Sequence, residues 1–449
     1  MRLPYPSYKP SGVEWLGDVP EHWEVKRLKF LASINDESLS ETEDPLRPIQ
    51  YVDIGSVDYL AGIIQTKETV FEDAPSRARR LVRHGDTVIS TVGTSLRAVA
   101  HINNPSSEMV VSTGFAVVRP RDMDSNFATW ALREHGFVRE IVARSVGVIY
   151  PAINASEIGN LLIPVPPLEE QRVIAEFLDR ETARVDALVE KKQQLIERLA
   201  EYRTALITQT VTKGLPPDVA AAEGFNPAPS LKPSGVEWLG DVPEHWEVKR
   251  AKYASKIIMG QSPPSDAYND EQVEQAFLQG NAEFGALHPK PKWYCDAAIK
   301  VVAAGTILLS VRAPVGELNV ADKNYGIGRG LCGLQTISKY LNRQFAWWAL
   351  HTARQELEHQ AVGSTYDAVS VAEVACLSLP LPPLSEQRAI AEFLDRETER
   401  IDALSARVET AIERLQEYRT ALITAAVTGK IDVRGFVGVE TADIGTVAK

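Results

Sequence analysis

Apolar residues recur at alternating three- and four-residue intervals in two stretches of the chain. They fall at Val185, Leu188, Leu195, Leu199, Tyr202 and Leu206, and again at Ile401, Leu404, Val408, Ala411, Leu415, Tyr418 and Leu422. This spacing predicts two long helices, each with a narrow apolar seam of the coiled-coil kind. Lys192 interrupts the first seam. Each helix opens behind a Pro-Pro pair with glutamates in its first turn (Glu169 and Glu170; Glu386) and closes at Thr-Lys-Gly or Thr-Gly-Lys, which is helix start and stop chemistry. From about Leu168 to Thr210, at about 1.5 Å per residue, such a rod is on the order of 60 Å long, too long for the inside of a globular domain. A seam needs a partner, and a second copy on the same chain is present at high effective concentration. The expectation is therefore an intramolecular pair, antiparallel if the two halves are related by a pseudo-dyad. A dimerising coiled coil would show the same helices, so the rest of the chain has to decide.

Other patterns come in pairs as well. LVRHGDTVISTVG (81–93) matches VVAAGTILLSVRA (301–313), each a Gly turn followed by a β-branched run that reads as a buried strand. NFATWALREHG (126–136) lies over QFAWWALHTAR (344–354) as an amphipathic helix, and GVIYPAIN (147–154) over GSTYDAVS (363–370). Short apolar strands, LLIPVPP and LSLPLPP, lead into the long helices. Nineteen residues, KPSGVEWLGDVPEHWEVKR, stand at 9–27 and again unchanged at 232–250. Gly12, Gly17 and Pro20 with Trp15 and Trp23 make this box read as a turn-rich aromatic cap rather than a regular element, with a binding face as the alternative.

The chain thus reads as a tandem repeat. Residues 1–165 hold a box and a first mixed α/β domain, 166–214 a long helix, 215–231 an extended Pro- and Ala-rich connector, 232–381 a second box and domain, 382–431 a second long helix, and 432–449 a loose tail. The expected fold class is α+β: two mixed α/β domains separated by a pair of long antiparallel helices, an intramolecular coiled coil in a pseudo-two-fold tandem repeat. Frames that are nearly identical suit two identical partners. Domains that differ in their surface-type residues suit two different ligands.

A length of 449 residues allows two or three well-buried domains. No apolar run approaches membrane-spanning length and MRLPYPSYKP lacks a signal-peptide core, so a cytoplasmic protein with no membrane partner is expected. Cys295, Cys332 and Cys376 show no metal or disulfide spacing and read as packing residues. A net charge of −12 argues against coating nucleic acid by bulk attraction, but leaves room for local basic faces.

The YPSYKPSGVEWLGDVPEHWEVKRLK opening and the PLPPLSEQRAIAEFLDRETERIDAL helix start resemble the shared regions of the specificity subunit of Type I DNA restriction-modification enzymes, and the resemblance runs over residues 1–431. It implies two target-recognition domains, each reading one half of a split, asymmetric site on double-stranded DNA in the major groove, with the paired helices setting the distance between halves. It also implies two modification subunits that bind S-adenosylmethionine and methylate adenine N6, and restriction subunits, driven by ATP with Mg, that can join them. A rod on the order of 60 Å spans no more than about 15 to 20 base pairs, the scale of a bipartite site.

Catalytic motifs are missing from this chain. Asn226-Pro227-Ala228-Pro229 lacks the second consecutive proline and the aromatic residue of an adenine-methylating motif. Gly326-Ile327-Gly328-Arg329-Gly330 has the wrong spacing for a dinucleotide fingerprint. There is no Walker A sequence and no metal-spaced histidine pair. The expectation is a noncatalytic chain with no cofactor and no metal, against two alternatives: a self-sufficient methyltransferase or nuclease with degenerate motifs, and a protein-binding scaffold. Candidates for DNA contact follow from residue type and loop position. In the first domain they are Arg77, Arg79, Arg80 and Arg83, then Thr91, Thr94, Ser95 and Arg97. In the second they are Gln261, Ser262, Gln279, Asn281, Arg312 and Arg329, with Lys290 and Lys292 suited to the DNA backbone. Tyr150 and Tyr366 hold matching places, with Ser364 and Thr365 beside the latter; contact with DNA and packing beneath the loop are both open for them.

Overall fold

The computed structural model describes residues 4–436 apart from 60, 148–149, 265–266, 268, 273–274, 296–299 and 362–367. The chain divides into two compact units, residues 1–192 with 409–449 and residues 193–408. Two continuous rods, Leu168–Lys213 and Leu384–Val427, each give one half to each unit. At about 1.5 Å per residue they are about 65–70 Å long.

The rods pair antiparallel inside each unit. In the first unit Trp23, fully buried, donates from Nε1 to Glu170 at the start of the first rod (3.0 Å). Its ring also lies 3.1 Å from where a Cβ on Gly429, just past the end of the second rod, would stand. That Cβ would meet Pro20 Cδ at 2.3 Å, and the backbone there has φ +72, so only glycine fits. Farther along, Arg419 makes a two-pronged ion pair with Asp186 (2.8 and 3.3 Å). In the second unit Trp246 and Glu386 flank Gly214 at the end of the first rod, and Arg203 pairs with Asp402 (3.0 and 3.5 Å). Both aspartates and both arginines are repeat equivalents, 216 residues apart, so one contact chemistry fixes the register in both units.

The seam is narrower than its spacing predicts. Val185, Ile401, Val408 and Leu422 are buried, and Leu199, Leu206 and Leu415 half-buried, in rows that recur every seven residues. Leu188, Leu195, Tyr202, Leu404 and Tyr418 sit on a row offset by three and are exposed. One heptad row is covered and the other is left largely open to solvent.

The two α/β domains share one topology under dissimilar sequences. In the first unit, Ala32–Ile34, Phe115–Pro120, Thr87–Ser90 and Val99–His101 form an antiparallel sheet in that order. A second sheet runs Lys67–Val70, Pro48–Val52, Met109–Ser112, Ala78–Leu81, with its central pair parallel. The second unit repeats both: Ser255–Met259, Leu331–Thr336, Ile307–Ser310, Leu318–Val320, and Trp293–Tyr294, Ala276–Leu278, Tyr325–Ile327, Val301–Val302, again with a parallel central pair. The β-branched runs bury because Thr87–Ser90 and Ile307–Ser310 are central strands covered on both faces.

Each domain is fastened to its rod in the same way. Gln171 accepts from the backbone N–H of Asp124, which caps the helix Ser125–Arg133, and donates to the carbonyl of Pro166 (both 2.8 Å); Gln387 does the same with Asn342 and Pro382 (2.7 and 2.8 Å). Trp130 donates to Asp179 and Trp348 to Asp395, each at 2.8 Å. Burial of the glutamines, with both ends of the amide satisfied, makes these joints stiff.

Four local expectations need correction. The box is regular: Tyr8–Pro10 pairs with Asp18–Pro20, and Glu24–Arg27 pairs with Leu162–Val165, the strand that enters the rod. The connector is not extended throughout, since Pro217–Ala222 is helical, with proline in its first turn and Ala220 buried. The tail begins packed: Val433 is buried, and Arg434 pairs with Asp432 (2.6 Å) while lying over the Tyr5 ring. Of the cysteines, Cys295 and Cys332 are buried and Cys376 is exposed, so the packing reading fails for the third.

Candidate nucleic-acid interface

In the second unit four backbone segments meet without side chains between them. Gly328 donates to the Leu278 carbonyl (2.7 Å), Gln261 to Ile327 (2.9 Å), Gly260 to Leu331 (2.9 Å) and Val311 to Gly330 (3.0 Å). A Cβ on Gly260 would stand 2.1 Å from the Gly328 oxygen, and one on Gly330 2.8 Å from the Gln279 oxygen. The glycine run is therefore a packing device. A strand follows it, Leu331–Thr336, and not the helix that a dinucleotide fingerprint requires.

With the backbones interlocked, the neighbouring side chains stand around a concavity of about 570 Å³. Ser262, Gln279, Asn281, Arg312 and Arg329, five of the candidates, line it together. Glu283 also lines it, but is buried and turned to accept from the Gly280 N–H (3.2 Å). Among the described residues neither the Arg312 nor the Arg329 guanidinium has a hydrogen-bond or ion-pair partner. The rim therefore offers unspent N–H donors, two positive charges and two side-chain amides. Gln261, Lys290 and Lys292 are exposed in the neighbouring loops but do not line the concavity.

The first-unit candidates do not gather in this way. Arg79 and Arg80 are successive residues of the strand Ala78–Leu81 and point to opposite faces. Arg79 lies over the Phe71 ring, Arg80 reaches Ser38 (3.4 Å) and Arg83 is held by Glu37 (3.1 Å from Nε). Arg77 is exposed beside Thr113, whose N–H it accepts (2.7 Å). Thr91 and Thr94 are buried, their hydroxyls committed to the Gly114 carbonyl (2.9 Å) and to Ser145 (2.8 Å), so they cap structure and are not available to a groove. Ser95 is exposed, Arg97 half-buried in a left-handed turn (φ +53), and Tyr150 exposed. Ser364, Thr365 and Tyr366 lie outside the described residues.

Strand pairing locates the first-unit counterpart of the rim. Thr91 donates its N–H to the Gly114 carbonyl and accepts from the Ile153 N–H (2.9 Å), as Val311 donates to Gly330 and accepts from Val369 (2.9 Å), and the bridge of Val92 to Ala152 repeats that of Arg312 to Ala368. Thr113 and Val92 therefore stand where the second unit has Arg329 and Arg312. Asp53, whose carboxylate accepts from Ser56 N–H and hydroxyl (2.9 and 3.0 Å), follows the strand matching Ala276–Leu278. Asp53 and Thr113 escaped sequence reasoning, because only the parallel pairing of distant strands makes them equivalent to the second-unit rim.

A concavity of about 700 Å³ in the first unit carries Arg83, Arg119, Arg121 and Arg172 against Asp86, Asp122 and Asp124. Arg119 grips Asp86 (2.9 and 2.8 Å) and Arg172 pairs with Glu169 (2.7 Å), so these cations are already neutralised and the site is a poor anion receptor. Burial holds the Cys332 thiol up at about 12, which removes it from thiolate chemistry at neutral pH. Among the described residues no group of three His, Cys, Asp or Glu side chains could hold a metal ion, and no helix is long and apolar enough to cross a membrane.

The Type I restriction modification DNA specificity domain matches the chain twice, over residues 20–198 and 243–414. The putative type I restriction enzyme MjaX specificity subunit of Methanocaldococcus jannaschii is 30% identical over 435 residues, 93% of this chain and 96% of that protein. The type I restriction enzyme EcoDI specificity subunit of Escherichia coli is 22% identical over 335 residues, 70% of this chain and 72% of that protein. Two solved structures are each 32% identical over 92% of this chain. A chain from work on complex assembly and conformational transition of the type I R-M system has a TM-score of 0.74 and is 99% covered. The HsdS subunit from Thermoanaerobacter tengcongensis has a TM-score of 0.57 and is 98% covered.

Proposed function

Because this chain belongs to the Type I restriction-modification DNA specificity family, as a noncatalytic subunit with two tandem recognition domains, we propose that each domain reads one half of a bipartite, asymmetric DNA site in the major groove. The observation that carries this reading is the contrast between frame and rim. The Gln171 and Gln387 joints and the Trp130 and Trp348 bonds are the same chemistry in both units, whereas the equivalent turns carry Val92 and Thr113 in one and Arg312 and Arg329 in the other. A like frame holds unlike readers. Arg312, Arg329, Gln279, Asn281 and Ser262 read bases on the second half, and Lys290 and Lys292 hold its backbone. On the first half, Arg77, Thr113 and Ser95 are the contacts.

The rods have two further roles in this proposal. They set the gap between half-sites, since each runs through both units with its register fixed by the Asp–Arg pairs. Their outward rows, Leu188, Leu195 and Tyr202 on one and Leu404 and Tyr418 on the other, dock two modification subunits. Those subunits carry S-adenosylmethionine and methylate adenine N6, and restriction subunits using ATP and Mg complete the complex.

Exchange of residues 28–165 for the corresponding domain of a relative tests the division of labour. The assembled enzyme should methylate a sequence altered in one half only. An unchanged methylated sequence refutes it.

A further inference from the structure

We propose that the concavity of the second unit is a guanine reader, with Arg312 and Arg329 as its specificity-determining residues. The inference rests on the DNA-reading function above and names the base chemistry of one half-site.

The charge pattern is the first support. The chain carries a net charge of −12, and several of its arginines are matched with carboxylates: Arg83 with Glu37, Arg119 with Asp86, Arg203 with Asp402, Arg354 with Glu317 and Arg419 with Asp186. Arg312 and Arg329 share one concavity and, among the described residues, are unmatched. The one carboxylate on that rim, Glu283, is turned into the backbone of its own loop. Two unmatched like charges lining one concavity of an acidic protein are charges held for a ligand.

Geometry then separates base from phosphate. A phosphate is satisfied by a mobile cation, and Lys290 and Lys292 in the next loop supply that. Arg329 is on a different footing. Its N–H donates to Ser262 Oγ (3.2 Å), and the glycines on either side are locked against Leu278 and Gln279, so its backbone has one position. Arg312 leaves a central strand, one residue after Val311 is pinned to Gly330. A guanidinium on a fixed stem donates two parallel N–H bonds, and guanine O6 and N7 are the adjacent acceptor pair in the major groove that takes both. Gln279 and Asn281 beside them carry a donor and an acceptor each and suit the neighbouring pair in the step.

The first unit supplies an internal contrast. Its equivalent turns hold Val92 and Thr113, with Asp53 alongside, and place no arginine at either position. Recognition through these two forks is therefore confined to one half of the site.

The test uses the full chain assembled with its modification subunits on a library of randomised bipartite sites, with methylation read by sequencing. The half-site of the second unit should contain G·C pairs. Arg312→Gln and Arg329→Gln should each lower discrimination at one G·C position by about tenfold to a hundredfold and leave the other half-site unchanged. Arg312→Lys and Arg329→Lys, which keep the charge but lose the fork, should lose the same discrimination. Both residues are exposed, so unaltered melting curves for all four variants confirm an intact fold. Rescue by lysine, with a uniform loss over all sequences in the glutamine variants, would assign these arginines to phosphate and overturn the proposal while leaving DNA reading in place. A second-unit half-site made only of A·T pairs would also overturn it. Methylation by the wild-type assembly with no sequence preference would instead sink the DNA-reading function itself.

Discussion

Removing Asp186 should damage the first unit far more than removing its partner Arg419. The Arg419 side chain is 7% exposed and Asp186 is 53% exposed, so the two ends of the ion pair lie in different surroundings. Arg133 is close by, and its guanidinium is held below its ordinary range, by burial first and then by the positive charge of Arg419. With Asp186→Asn, a nearly buried cation loses its carboxylate while still facing a second, half-buried arginine. Breaking a fully buried pair costs about 3–5 kcal/mol, and a surface pair contributes about 0–1; the half-exposed carboxylate places this loss at about 2 kcal/mol. Arg419→Met removes the buried charge, relieves Arg133 and leaves an aspartate that water can solvate, so its cost should stay below about 1 kcal/mol. For a unit of this size the first change lowers the melting temperature by about 4–8 °C and the second by about 3 °C or less. Asp402→Asn in the second unit is the internal comparison, because Arg203 is 29% exposed and can turn to solvent. Calorimetry of the full chain and the three variants measures all of this. Equal losses for Asp186→Asn and Arg419→Met, or an Asp402→Asn loss as large as that of Asp186→Asn, would refute the argument from unequal burial.

Further predictions concern spacing, docking and pH. Inserting four residues, about one helical turn, near Thr208 should change the permitted gap between half-sites and leave both half-site sequences alone; methylation sequencing showing the original gap would contradict the proposed role of the rods. Leu188→Ser combined with Tyr202→Ser should weaken association with modification subunits at least tenfold in sedimentation or titration experiments, with little change in the melting of the isolated chain, because both side chains are already exposed. His101 is held below its usual value near 6.5 by burial and by His84, and its Nδ1 lies 2.8 Å from the Thr129 hydroxyl. The unfolded chain therefore binds its proton first: the stability from neutral His101 is present above about pH 6.5 and is lost as pH falls below it. His101→Gln should flatten the stability of the first unit as pH falls below about 6.5, and an unchanged slope would show that another group sets it.

Some of the interface could not be read from the chain because side-chain availability depends on burial. Thr91 and Thr94 carry hydroxyls in the right kind of turn, yet both are spent on internal bonds. The arginine run 77–83 looks like one patch in sequence, but strand alternation and Glu37 disperse it. In contrast, Arg312, Arg329, Gln279, Asn281 and Ser262, chosen from separate loops, line a single concavity. Conversely, Asp53 and Thr113 gave no local signal.

The repeat, the two long helices and the missing catalytic motifs were determined by sequence alone, because periodicity and motif spacing are local properties that survive without knowledge of distant contacts. Tertiary structure decided which heptad row of each rod is covered, which polar groups are already satisfied and which turns of the two domains correspond. Those outcomes depend on strands and helices far apart in the chain meeting in space: Pro48–Val52 with Met109–Ser112, Ala276–Leu278 with Tyr325–Ile327, Asp186 with Arg419. Long-range pairing of this kind leaves no periodic trace in the residues that take part in it.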